Sequence, residues 1–380
     1  MPQFDLQIRD IYGGVVGTWK PLDAELSVTQ NETGSITGGF GRSDPTVTRN
    51  FFGPYRNDWF FYRDNRLLKS GPITNAGWSD QSEGMITMAG KTWEHLLDRR
   101  IWYFDPQEPD FETLISKYIY RSGVPVYPAD KKPLLWPLHK IVRDLLDNVE
   151  LHGNLGDPAY NLSGTTPGAI MEYEIFPFDT TPIMQHIKTI SEQDIGFDFD
   201  IKYFAPLQLN FILHAPIKES SGITYALDRT NVTSLSFSND GPVGTRNYVI
   251  GDGSLGTNWG FIDEYIPSSD RFRTLESVTR FGRIKDLDAL QSLAKSEKAR
   301  TKEPTLTVSV TVYPDTIPNF WAKLDTGIRV TLDYDFGFHN LNSDPDDSGS
   351  FTFWRVKGYT LNITRQGDPT VTLDMSRVPG

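Results

Sequence analysis

The chain has 380 residues, enough for two or three domains with cores of their own, at 38% hydrophobic and 23% charged residues. A net charge of −12 argues against a sequence-independent grip on nucleic acid, which needs a concentrated positive surface, but is compatible with a surface past which a polyanion slides. The absence of cysteine excludes disulfide frameworks, thiolate zinc sites and thiol catalysis.

The N-terminus, MPQFDLQIRD, alternates apolar and polar residues and carries acids early, so it reads as a strand and not as a signal peptide. No run approaches the roughly 18 apolar residues of a membrane span. The sequons at Asn31, Asn161, Asn231 and Asn362 stand beside no export signal and read as accidental, which points to folding in a cytoplasm. Up to about residue 90 the segments QFDLQIRD, AELSVTQN, GSITGGFG, DWFFYRDNRLLKSGPITNAGWS and GMITMAG predict consecutive antiparallel strands, with RDNR as a tight hairpin. KTWEHLLDRR then places Trp93, Leu96 and Leu97 on one face of a short helix.

From about 105 to 215 the period changes to that of helices. Asp110 caps FETLISKYIYRSG, which Gly123 ends, and PLHKIVRDLLDNVE puts Leu138, Ile141, Val142, Leu145, Leu146 and Val149 on one side. DTTPIMQHIKTISEQDIG has Thr181 as its expected cap, Pro182 in the first helical position and Gly196 just past the end. FDFDIKYF and LQLNFILHAP follow as a hairpin. Strands return from about 222 in ITYAL, VTSLSFSND and RNYVIGDG, are interrupted by the amphipathic LDALQSLAKSEKARTKE, and close the chain in TLTVSVTVYP, IRVTLDYDFG, SFTFWRVKGYTLNITRQG and TVTLDMS. The expected fold class is α+β, mainly β, with limits at 1–100 for a first strand-rich domain, 101–221 for an inserted mixed domain of three helices and a hairpin, and 222–380 for a second strand-rich domain with one helix. Both strand-rich blocks set a Gly-marked hairpin near an amphipathic helix.

Candidate chemistry is thin. Gly251, Gly253 and Gly256 satisfy Gly-x-Gly-x-x-Gly after a strand, but no helix period follows to present amides to a pyrophosphate, so a strand-to-strand loop is expected. Asp333, Asp335, Asp344, Asp346 and Asp347 crowd one stretch without calcium-loop spacing or a closing glutamate. His95, His139, His152, His186, His214 and His339 show no one-turn pairing of a helical zinc site, and no serine elbow is present. No catalytic, cofactor-binding or metal-binding residue is assigned. The nine Trp residues lie mostly in predicted strands, where core or subunit packing is their usual use.

The stretch LLKSGPITNAGWS followed by GMITMAGKTWEHLLDRRIWY, at 67–103, resembles the baseplate-hub or tail-tip hub family of long-tailed bacteriophages, also called minor tail proteins. The matching features are Gly71, Pro72 and Ile73 in the outgoing strand, Gly90 ending the return strand, and Leu96, Leu97 and Arg99 in the stub helix. NETGSITGGFGRSDP at 31–45 and the closing FWRVKGYTLNITRQGDPTVTLDMS, at Val356, Gly358 and Leu373, are similar to further strands of that family.

The resemblance implies two tail-tube-like β-barrel domains flanking the helix-containing insertion, with the hairpin completing a barrel wall and the stub helix sealing its side. It also implies a homotrimer whose two barrels per copy give a pseudo-sixfold ring at the end of the tail tube. The implied partners are the distal tail protein or tube ring, the tape-measure protein and other tail-tip or fibre proteins, with phage DNA passing the channel unbound. The implied location is the virion tail tip, after assembly in the host bacterial cytoplasm, with no membrane insertion, cofactor or enzymatic activity. Many relatives carry a C-terminal extension for host binding or wall digestion; here the sequence stops at Gly380 just after the last strand, so those tasks are expected of other proteins. Two other classes stay open: a carbohydrate-binding adhesin or receptor-binding module using Trp78 and Trp259, and a cell-wall hydrolase.

Overall fold

The computed structural model describes residues 3–41, 53–78, 85–102, 136–164, 170–171, 180–192, 196–215, 224–225, 231–240, 246–250, 261–264, 276–280, 291, 294, 305–332, 353–365 and 368–378. The first block forms β1 (Phe4–Asp10), β2 (Val15–Trp19), β3 (Asp23–Thr29), β4 (Ser35–Gly41), β5 (Asn57–Arg63), β6 (Arg66–Trp78) and β7 (Met85–Lys91), then helix α1 (Glu94–Asp98). The middle holds β8 (Trp136–Pro137), α2 (Leu138–Leu151), β9 (Ala159–Gly164), β10 (Ile170–Met171), α3 (Ile183–Ser191), β11 (Asp198–Ala205) and β12 (Gln208–His214). The last block contains β13 (Thr224–Tyr225), β14 (Val232–Asp240), β15 (Arg246–Ile250), β16 (Phe261–Glu264), β17 (Glu276–Arg280) and β18 (Thr305–Val312), then a 3-10 turn (Pro314–Thr316), α4 (Phe320–Lys323), β19 (Arg329–Leu332), β20 (Phe353–Ile363) and β21 (Thr370–Val378).

Alternation decides which side of each strand is buried. Phe4, Leu6 and Ile8 of β1, Ala24, Leu26 and Val28 of β3, Val308, Val310 and Val312 of β18, and Val371, Leu373 and Met375 of β21 all face one core. A bulge in β20 between Val356 and Gly358 switches the inward set from Trp354 and Val356 to Tyr359 and Leu361. The RDNR hairpin forms as expected: Asp64 and Asn65 take positive φ of 47° and 65°, the primed turn that suits twisted strands.

The expectation of two closed barrels is overturned. Strands from both blocks run in one open path, β14–β18–β21–β20–β3–β4–β7–β6–β5–β1–β2, with β19 added on β20 and β13 on β19; its ends β14 and β2 do not pair. The edge that would close a first barrel, β3, is occupied by β20, from Gly358 opposite Thr29 to Ile363 opposite Ala24. That ladder satisfies two strand edges at once and lets one apolar core take the inner faces of both blocks, so neither sheet has to curl shut on itself.

A second core lies on the other face. Phe60 points away from its neighbours Trp59 and Phe61 and joins Trp93, Leu97, the apolar side of α2, Ile183, Ile187 and Ile190 of α3, and Phe199 and Phe211 of the β11–β12 hairpin. All six residues of the α2 stripe are buried as the sequence predicts. Helix α3 departs from expectation at both ends. Pro182 and not Thr181 is the cap residue, and the first amide, that of Ile183, donates to Arg100 O at 2.8 Å. The helix stops at Ser191, well short of Gly196. Strand β9, which alternation did not reveal, pairs in parallel with β12. The helices expected over 111–123 and most of 287–303 lie outside the described residues.

Candidate functional site

The 67–103 stretch owes its glycines to close packing. A Cβ on Gly71 would lie 2.0 Å from Lys91 O and 2.8 Å from Thr92 Cα, both backbone atoms. A Cβ on Gly90 would lie 2.2 Å from Nε1 of Trp59, the nitrogen that donates to Lys91 O at 3.0 Å. Strands β6 and β7 are therefore interior strands of the open sheet, in place of a barrel wall, and α1 does not seal a barrel side. Its Trp93 and Leu97 are buried in the second core, Trp93 Nε1 donates to Ser70 Oγ at 2.9 Å, and Leu96 is half-buried beside them. The stub pins the helical unit onto the sheet.

Behind it lies an ionic junction that apolar patterning does not announce. Asp198 and Asp200 of β11 and Glu94 of α1 are buried. Lys69 Nζ of β6 stands 4.0 Å from Asp200 Oδ1, and His214 Nε2 stands 3.1 Å from Asp200 Oδ2. Asp198 is paired with Arg355 of β20 and also accepts from Asn31 Nδ2 at 3.2 Å. Asn31, at a positive φ of 56°, returns its Oδ1 to the amide of Phe199 at 3.0 Å. Side chains from both strand-rich blocks thus converge on one strand of the middle unit.

The electrostatics follow from burial. Desolvation alone would lower the Lys69 pKa, but Asp200, Tyr359, Glu94 and Asp325 outweigh it and hold the ammonium above its ordinary range. Glu94 goes up because burial exceeds the pull of Lys69, so its carboxyl keeps its proton more readily. Tyr359 is pushed up to about 12 by burial. Lys357 is brought down to about 8 by burial and by the like charge of Arg355. The arrangement is a latch between sheet and helical unit.

A second set of contacts draws the far parts of the sheet together. Arg66 of β6 donates from Nη1 to Trp321 O at 2.7 Å and from Nη2 to Ala322 O at 3.0 Å. Arg63 pairs with Asp315 and lies 4.0 Å over the Trp321 ring, which meets Phe4 edge-on at 5.7 Å and donates from Nε1 to Asp315 Oδ1 at 2.8 Å. Side chains, not a backbone ladder, bridge this seam.

Of the residues singled out by sequence, Gly251, Gly253, Gly256, the five aspartates from Asp333 to Asp347, His339, Trp259 and the side chain of Trp78 lie outside the described residues. His186 is buried on α3, His95 is half-buried with Nε2 3.1 Å from Tyr55 Oη, and His214 meets Asp200. Trp19, Trp59, Trp93, Trp102 and Trp354 are core residues. Among the described residues no group of three His, Cys, Asp or Glu side chains is placed to hold a metal ion, and no helix is long and apolar enough to cross a membrane. Lys69, Glu94, Asp198, Asp200, Arg355 and Asn31 escape sequence reading; the only signal for Asn31 is an Asn in a turn, where positive φ is tolerated.

No protein-family profile matches the chain, and no curated protein matches it by sequence. Solved structures do match it. The tail protein from Neisseria meningitidis has 12% identity and a TM-score of 0.60, covering 98% of this chain and 96% of its own. The 43 kDa tail protein of prophage MuSo2 from Shewanella oneidensis has 12% identity and a TM-score of 0.60, covering 98% of both chains. A prophage tail protein from Listeria monocytogenes has 12% identity and a TM-score of 0.53 over 97% of this chain and 94% of its own. The chain therefore shares, almost end to end, the fold of phage and prophage tail proteins.

Proposed function

We propose that this chain is a structural, non-enzymatic component of a phage-type tail, a tail-tip or baseplate hub that forms a ring of three copies at the distal end of the tail tube. The observation that carries this reading is the end-to-end likeness to tail proteins, which leaves almost no part of the chain for a separate activity. The proposed units are 1–100, 101–221 and 222–380, the outer two supplying alternate sectors of the ring and the middle one standing outside them. The ring adjoins the distal tail protein or tube ring on one side and other tail-tip or fibre proteins on the other. It first holds the tape-measure protein and then passes the genome; a net charge of −12 keeps DNA moving by repulsion. Its place is the virion tail tip, reached after assembly in the host cytoplasm.

Light scattering coupled to size exclusion tests the assembly: the expected mass is three times the 43.0 kDa of the chain. Proteomics of purified virions tests the location, and purified peptidoglycan is expected to remain undigested. A strictly monomeric protein absent from virions overturns the proposal.

A further inference from the structure

A cleft between the first strand-rich block and the middle unit is not absorbed by the hub reading. Its walls include Tyr55 and Asp58 at β5, Pro72 of β6, Trp93 ahead of α1, Asp157 after α2 and Tyr203 of β11. The cavity is about 140 Å³, close to the volume of a cavity that holds one benzene-sized group. The turns around it touch: a Cβ on Gly13 would lie 2.4 Å from Pro206 Cγ, and one on Gly156 would lie 3.3 Å from Ile11 Cδ1. Next in sequence to the lining residues Ile11 and Gly156, Tyr12 and Leu155 are 68% and 95% exposed.

The cleft holds a carboxylate whose natural partner has turned away. In the β1–β5 ladder Arg9 stands directly opposite Asp58. Arg9 nevertheless gives Nε to Gln7 Oε1 at 2.7 Å and Nη2 to Tyr62 Oη at 3.1 Å, and lies 4.4 Å over the Phe60 ring. Among the described residues no cation pairs with Asp58. The other groups facing it do not compensate. Asp10 on β1 is a like charge, engaged by the amides of Tyr12 and Gly14 at 3.0 and 2.7 Å. Asp157 is met by Arg100 at 3.4 Å. His95 on α1 bonds Tyr55, and burial lowers its pKa, so at neutral pH it carries little charge. Burial, aided by Asp10, raises Asp58 itself to about 7.

We propose that this cleft is a docking site for a basic side chain, arginine or lysine, carried between apolar residues on a segment of a partner protein. The cation meets Asp58 in the cleft walled by Tyr55, Trp93 and Tyr203, while the flanking apolar residues cover Tyr12 and Leu155. Charge complementarity selects this occupant: a neutral or anionic group entering the cleft would leave Asp58 without a partner. The inference goes beyond the hub reading and stands apart from it, since it requires no trimer and no virion.

The test uses the full chain and two peptides, acetyl-Leu-Arg-Leu-amide and the same peptide with citrulline, the neutral isostere of arginine. Binding is followed by tryptophan emission at 150 mM salt. At pH 8 the arginine peptide is expected to bind roughly tenfold more tightly than the citrulline peptide, the scale of one desolvated cation contact. Asp58→Asn is expected to reduce that preference to about twofold, and lowering the pH to 5.5 does the same to the unmodified chain by protonating Asp58. Leu155→Ser, at a position too exposed to disturb folding, is expected to weaken both peptides alike. Equal binding of the two peptides, a preference untouched by Asp58→Asn, or no binding of either at millimolar concentration overturns the proposal.

Discussion

Replacing Lys69 by Met tests whether the ionic junction holds the two units together. Met retains most of the stem and removes the charge, so the loss is electrostatic in the main. At the 4.0 Å separation from Asp200 the attraction between unit charges is about 4 kcal/mol at an effective dielectric constant of 20. Asp200 is buried, and without Lys69 it keeps the contact with His214 Nε2 at 3.1 Å but loses the ammonium. Breaking one side of such a pair costs about 3–5 kcal/mol, because the surviving charge stays desolvated. The expected loss for Lys69→Met is therefore about 3–5 kcal/mol in urea unfolding followed by far-UV dichroism and tryptophan emission, with the two transitions coinciding. In Lys69→Met/Asp200→Asn the buried carboxylate charge is gone, so the double variant is expected to be more stable than the sum of the single losses by about 1–3 kcal/mol. A loss below about 1 kcal/mol for Lys69→Met, or strict additivity in the double variant, refutes the argument that this pair carries the junction.

Gly71→Ala is expected to cost at least about 1–3 kcal/mol, the scale of core overpacking, because the added methyl meets the backbone of Lys91 and Thr92 and not a yielding side chain; urea midpoints measure it. Trp321→Ala removes the half-buried ring that Arg63 lies over and that meets Phe4 edge-on at the seam, and is expected to cost about 1–3 kcal/mol, with hydrogen exchange rising first along β5 and β6. Asp58→Asn is expected to stabilise the free protein above pH 7 and to leave it unchanged near pH 3. The folded pKa of about 7 lies above the ordinary 3.8, so the contribution of Asp58 is full at low pH and is lost as pH rises between those values. Differential scanning calorimetry of both proteins across pH 3–8 reads the sign in their difference, and an advantage of Asp58→Asn that stays flat or falls as pH rises refutes it.

Much of the secondary structure was legible because burial and periodicity speak residue by residue. Leu138 to Val149 must lie on one side of a helix, Val308, Val310 and Val312 on one face of a strand, and Asp64–Asn65 in a turn that needs positive φ. What partner each face or edge meets is a different kind of fact. The pairing of β20 with β3 joins residues more than 300 positions apart through backbone groups that every residue carries, so no side chain marks it. Closure into two barrels and union in one sheet therefore read alike in the sequence. The charged residues of the junction were hidden for a related reason: Lys69, Asp198 and Asp200 fall among strand residues whose polar members usually face water.

By itself the sequence determined the local elements, the absence of thiol chemistry and the acidic balance, since each depends only on residue type and spacing. Tertiary structure alone decided that both strand-rich blocks share a single open sheet and core, that buried charges fasten the middle unit to them, and that Arg9 leans away from Asp58. Those outcomes are set by which distant edges and side chains meet, and such meetings are decided by the energy of the assembled whole.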